Sequence, residues 1–292
     1  MKKIAWLLVF ACTSLFAQKI TLKGTLLDKE TNAPVAFANI GFLKIENGTS
    51  STERGTFQFE INPEDLNQKL HISCLNYQDT IVLAKDIQNT TLYLRPQSYE
   101  LDEIVIAKKK EDRELMVNPI RKKDIALTLD GSLKRPWTVA RYFPFKQAYE
   151  STPYVKSIQV FLSKYDRRNA KFRIRIFAKD PNADAPKEDL LRESLIVHVE
   201  KRNKSVEIDV SKYDIEIPES GFYIALERLH IPYNRYEEEM RFKNKPTEYV
   251  MRAAPKFGAV RASDEKMYSY FNGKWFAVKR SFVPAISVTL SN

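Results

Sequence analysis

Two cysteines, eight glycines and three histidines are all that this chain of 292 residues holds of the residue types behind most recognisable site chemistry. Each scarcity excludes something. Cys12 lies in the expected N-terminal leader and Cys74 stands alone beyond it, so once the leader is removed no intramolecular disulfide can form. The apolar cores alone must then hold the chain. In "KLHISCLNY", Leu70, Ile72 and Cys74 alternate with polar residues, and no basic neighbour lowers the thiol pKa, so Cys74 reads as an inert buried thiol on a strand. Eight glycines supply neither a phosphate-cradling loop nor a G-x-S-x-G nucleophile elbow. His71, His198 and His230 form no His-x-x-Glu motif and no i, i+4 pair, so neither metal nor cofactor is expected. Glu237, Glu238 and Glu239 are adjacent, whereas glycosidase carboxylates face each other across a cleft, and the trio reads as a solvated charge run. No enzyme is expected.

Long apolar runs are also missing. Lys2 and Lys3 precede a short apolar run from Ile4 to Phe10 and a stretch ending at Ala17, the pattern of a signal peptide spanning residues 1–17. Cleavage before a lipidated Cys12 is the alternative reading. Past this segment no transmembrane span is expected, and the signal peptide implies export, to the periplasm or to the outer membrane or cell surface.

Charge is unevenly placed. Residues 19–107 carry 8 basic and 12 acidic side chains, a net of −4, and residues 108–292 carry 37 and 25, a net of +12. On an exported chain such a surface suits an anionic envelope polymer or glycan; nucleic acid is not an expected partner. A well-solvated basic surface that binds nothing is the other reading.

Strand signals dominate. "GTLLD" and "VAFANIGFL" flank the polar turn "KETNAP", and Phe57, Phe59 and Ile61 alternate with Gln58 and Glu60. About seven short strands in under 100 residues argue for a β-sandwich over residues 18–107. Residues 108–147, with the charge run "KKKEDRE" and the turn-rich "DGSLKRPW", read as an irregular linker docked through Leu115, Met116, Trp137 and Phe143. Alternation returns from Ala148, through Ile158, Val160 and Leu162, then Phe172, Ile174 and Ile176, then Val206, Ile208 and Val210. Asn272-Gly273 has the composition of a two-residue hairpin turn. Residues 148–292 are expected to form a second, jelly-roll-like sandwich. The fold class is therefore all-β, two sandwiches joined by a linker.

Gly24 with Asp28, "APVAFANI", the spaced Gly55, Phe57, Phe59 and Ile61, "LHISCLNYQ", "LYLRP" and "LDEIVI" together resemble the carboxypeptidase regulatory-like domain of exported bacterial proteins. The resemblance implies a transthyretin-like or immunoglobulin-like sandwich, a fold that stands in front of outer-membrane nutrient receptors and in other surface proteins. Where that family has Gly before Tyr, this chain has Asn76-Tyr77, and Asn tolerates positive φ best among the other residues. "VEIDVSKYDIEIPESGFYIALERL" similarly resembles a C-terminal domain paired with the first in exported proteins. The 185 residues after Ala107 are too few for a transporter barrel of about 22 strands, so the chain is not expected to be the receptor itself.

Two surfaces stand out as candidate ligand sites. The segment from Lys156 to Lys179 carries Lys156, Lys164, Arg167, Arg168, Lys171, Arg173, Arg175 and Lys179 against Asp166. Arg173 and Arg175 leave one strand face together, which is expected to be exposed and cationic. In the hairpin, Tyr268, Tyr270 and Trp275 are expected on one face, either as a platform for a sugar ring or as core. The functional expectation is a non-catalytic envelope binding or scaffolding protein. The alternative is an accessory subunit to an outer-membrane nutrient receptor, or to a carbohydrate- or peptide-processing enzyme on another chain.

Overall fold

The computed structural model describes residues 18–97, 112–165, 168–241, 246–271 and 273–292. The expected signal peptide with Cys12, the "LDEIVI" segment, Asp166, Arg167 and Asn272 lie outside them. Among the described residues the chain is all-β, its only helical pieces short 3₁₀ turns.

The first sandwich packs two sheets. One runs Thr56–Ile61, Ile20–Asp28, Thr90–Leu94, and the other Gly48–Ser50, Asn39–Phe42, Lys69–Ser73, Thr80–Leu83. Strand Thr56–Ile61 buries Phe57, Phe59 and Ile61 and exposes the residues between, as its alternation requires. These side chains meet Leu22, Leu26, Ile40, Phe42, Leu70 and Ile72 in one core. Its family motif has a structural job. Asp28 Oδ1 accepts from the backbone N–H groups of Glu30 and Thr31, both at 2.8 Å, and closes the "KETNAP" turn. The Tyr77 hydroxyl donates to Asp28 Oδ2 at 2.9 Å, joining the turn to the "LNYQ" bend. The Thr31 N–H bond leads in holding the Asp28 carboxyl below its usual range.

The second sandwich is larger. A seven-stranded sheet runs Pro186–Asp189, Ala170–Lys179, Phe222–Arg228, Trp137–Phe143, Met267–Phe271, Lys274–Val278, with Leu195–Val199 also paired to Ala170–Lys179. A four-stranded sheet, Ser205–Asp209, Tyr154–Phe161, Ile286–Ser291, Glu114–Val117, packs on it through Ile158, Val160, Phe172, Ile174, Leu226 and Val288. A three-stranded sheet, Phe282–Pro284, Phe257–Arg261, Ile125–Leu129, closes one side, and Arg235–Met240 pairs with Glu248–Ala253 as a ribbon.

The expected linker is corrected by this topology. Three of its segments, Glu114–Val117, Ile125–Leu129 and Trp137–Phe143, are strands of the second sandwich, and the last lies inside the seven-stranded sheet. Strand Trp137–Phe143 hides because both its faces are covered, so apolar and polar residues do not alternate along it. Its buried Arg141 is satisfied by Glu265, through two bonds of 2.8 Å, and by the carbonyls of Pro284 and Ile286.

Asn76 has φ of 68°, the left-handed bend its place beside Tyr77 suggested. Its side-chain amide also donates to the Arg192 carbonyl at 2.9 Å, a bond between the two sandwiches. Asn76→Val should therefore cost on the order of 1–2 kcal/mol through steric strain. Asn76→Gly relieves the backbone but removes the bond, and should fall between wild type and Val in denaturation midpoint. A Val variant as stable as the Gly variant would contradict this account.

Candidate functional site

The five residues singled out in the sequence share one face of the seven-stranded sheet, part of which the first sandwich covers. Arg173 and Arg175 do share a face, but Arg173 is 1% exposed. Its guanidinium donates to Glu227 at 2.8 Å, to the Phe37 carbonyl of the first sandwich at 3.0 Å and to Ser194 at 3.0 Å. Glu227 is itself fully buried and accepts a further bond of 2.9 Å from the Asn39 amide, again from the first sandwich. Arg175 pairs with Asp189 and lies 4.0 Å from Glu227. Burial works to lower the Arg175 pKa, but the Asp189 carboxylate outweighs it and holds the group firmly charged. The expected exposed cationic strip is thus corrected: a covering domain turns these arginines into an internal ion network. The other cations of that segment disperse. Lys156 pairs with Glu114, Lys171 with Glu53, and Lys179 with Asp184.

The aromatic trio divides. Tyr268 is 2% exposed and packs edge-on against Tyr223 at 5.0 Å, so it is core. Tyr270 and Trp275 are cross-strand partners with ring centroids 5.2 Å apart, and Trp275 meets Phe177 edge-on. Burial first, and then the Asp79 carboxylate, push the Tyr270 hydroxyl up to about 12. Gly273 takes φ of 76°, as the hairpin turn requires, and faces the His71 ring of the first sandwich.

The remaining candidates of the sequence are structural. Burial raises the Cys74 thiol, whose sulfur sits 3.8 Å from the Ala36 carbonyl. His71 bonds Asp79 at 2.9 Å, and His198 is exposed. Glu238 and Glu239 lie on the ribbon strand rather than in a loop, paired with Arg252 and Arg241. Among the described residues no group of three or more His, Cys, Asp or Glu side chains is placed to hold a metal.

A different surface has the geometry of a binding site. A groove of about 950 Å³ runs between two walls. One is Lys122 to Thr128, the edge of the three-stranded sheet; the other combines Phe161 to Tyr165 with Arg202 to Lys204. Thr128 and Ser163 meet across it at 2.6 Å. Gly258 lets the walls approach, since a Cβ there would stand 3.1 Å from the Ile125 side chain and 3.2 Å from the Phe161 carbonyl. Lys122, Lys123, Lys164, Arg202 and Lys204 line the groove and, among the described residues, no carboxylate does. Among the described residues none of the five forms a salt bridge. The neighbouring Asp124 is held by Arg121. Leu127 and Tyr165, 46% and 69% exposed, add apolar surface. Lys164 belonged to the cationic segment noted in the sequence, but its partners are distant in the chain, and no local pattern announces them.

Comparisons with known proteins give likenesses both in structure and in sequence. A crystal structure of the cysteine protease and lectin-like domains of Cwp84, a surface layer associated protein of Clostridium difficile, aligns with a TM-score of 0.36 and 11% identity. The alignment covers 54% of this chain and 32% of that one, so this chain spans about a third of that structure's length. No curated protein matches the chain. Residues 22–106 match the family model of the CarboxypepD_reg-like domain, the family that the motifs of the first sandwich resemble.

Proposed function

We propose that the protein is a non-catalytic binding or scaffolding module of the cell envelope that holds an anionic polymer in the groove between Lys122–Thr128 and Phe161–Tyr165. The observation that supports this is the lining of the groove. Five cations converge on one concavity with no lining carboxylate among the described residues, an arrangement that costs electrostatic repulsion in the free protein and is relieved by a polyanion. A merely solvated basic surface has no reason to concentrate like charges in a concavity. The first sandwich acts as a docked support that covers the ion network of the second through Phe37 and Asn39. Under this reading the +12 of the C-terminal part serves recognition at the groove, while Arg173 serves docking through the Phe37 carbonyl.

Retention on an immobilised anionic polymer across a salt series tests the proposal. Wild type should elute later than Lys122→Glu/Lys204→Glu, whose affinity should fall at least ~10-fold, and the difference should shrink as the Debye length drops below about 10 Å. Both positions are exposed, so the melting temperature should stay nearly unchanged. Equal retention of both proteins at every salt concentration would sink the proposal.

A further inference from the structure

A second cleft of about 660 Å³ adjoins the groove, and Tyr165 lines both. Its other walls include Arg168, Lys201, Tyr233, Arg235 and Tyr236. Tyr233 is 54% exposed on a base that cannot shift freely. The 3₁₀ turn Pro232–Asn234 that carries it is pinned by Asn234, which is 1% exposed. The Asn234 amide donates to the carbonyls of Lys171 and Leu229 at 2.7 and 2.8 Å and accepts from the Lys171 N–H at 2.8 Å. A cation stands over each of the three rings, with the Lys164 ammonium 5.0 Å from the Tyr165 centroid. The Lys171 ammonium lies 5.3 Å from the Tyr233 centroid and the Arg168 guanidinium 4.3 Å from that of Tyr236. Lys171 is in turn held by Glu53 of the first sandwich. The lining carboxylate, Glu238, is committed to Arg252 at 2.9 Å.

We infer that this cleft is a sugar-ring subsite, so that the ligand of the whole surface is an acidic polysaccharide. Exposed tyrosines on a fixed base present apolar ring surface that a pyranose can cover with its C–H face, at little cost in side-chain entropy. Arg168, Lys201 and Arg235 stand where the acid group of the same sugar needs a partner. A chain leaving this cleft past Tyr165 enters the lysine-lined groove, where the next acidic units find Lys164, Lys204 and Lys122. A polymer of bare phosphates would use the groove but gain nothing from the tyrosines. The inference rests on the reading of the groove as an anion site, and adds the class of ligand.

Binding of polygalacturonate and of polyphosphate to the full chain, measured side by side at fixed salt, separates the two levels. Tyr165→Ala/Tyr233→Ala should weaken polygalacturonate about tenfold and leave polyphosphate within about twofold. Tyr233→Phe, which keeps the ring, should stay close to wild type on both. Lys122→Glu/Lys204→Glu should weaken both polymers. If the tyrosine variant loses neither polymer, or loses both equally, the sugar subsite is wrong while the anion groove stands. If wild type binds neither polymer, the groove reading fails and this inference with it.

Discussion

Glu227→Ala should lower the unfolding free energy by about 3–5 kcal/mol, because it leaves two cations against the docked face without their shared carboxylate. Glu227 is fully buried between Arg173 at 2.8 Å and Arg175 at 4.0 Å, and it also receives Asn39 from the first sandwich. The Arg173 guanidinium would retain the Phe37 carbonyl and Ser194 but no countercharge of its own. Arg173→Glu with Arg175→Glu should be as severe, since it places carboxylates beside Glu227 and Asp189. Exposed strand positions would have tolerated that pair of substitutions with little loss. Removing both members of the central pair, as Arg173→Leu/Glu227→Leu, should cost less than either single change, because no uncompensated charge remains buried. Denaturant midpoints for the four proteins of this cycle check the claim. Single variants as stable as wild type would show that the network is not buried as described.

Acidification should destabilise the protein well before its carboxylates titrate. His230 is 5% exposed, and burial, reinforced by Arg235 and Arg228, lowers its pKa from 6.5 to about 3. Below pH 6.5 the unfolded chain takes up a proton that the folded chain refuses, so folding stability falls as pH drops toward 3. Above pH 6.5 the imidazole is neutral in both states and contributes no slope. Each pH unit well inside the window costs up to about 1.4 kcal/mol. The loss bears on the docked arrangement, because the His230 N–H donates to Ser50 Oγ at 3.0 Å and its carbonyl accepts from the Ser50 N–H and the Thr49 hydroxyl, both at 3.2 Å. Those backbone bonds survive in His230→Leu, which should flatten the decline in melting temperature between pH 6.5 and 4.5. A Leu variant with the same slope as wild type would assign the decline to other groups. Below about pH 4 carboxylates such as Asp184, held at about 2 chiefly by the bond from Lys266, add their own loss in both proteins.

Local pattern carried the fold class far. Phe57, Phe59 and Ile61, or Phe172, Ile174 and Ile176, alternate with polar neighbours, and a strand with two unlike faces writes its period directly into the sequence. Asn76 was legible for a similar reason, since positive φ selects among residue types at a single position. Strand Trp137–Phe143 was not, because a strand covered on both faces has no contrast to read. Its Arg141 imitates a solvent-facing residue, although Glu265 and two carbonyls satisfy it inside the molecule.

By itself the sequence determined that the chain is all-β, that its first part carries the motifs of a carboxypeptidase regulatory-like domain, and that positive charge accumulates beyond residue 107. Tertiary structure alone decided which of those charges meet water. Arg173 and Arg175 alternate with apolar residues just as exposed arginines do, yet their face is covered by Phe37 and Asn39 from another sandwich and countered by Glu227. Lys122, Lys164 and Lys204 sit in unremarkable turns, yet the fold brings them to one groove and leaves them without a carboxylate partner in the described residues. Periodicity reports how a strand sorts its own side chains between two faces. Whether a face is then covered, and whether a charge finds its counterion, depends on residues far away in the chain that only packing brings near.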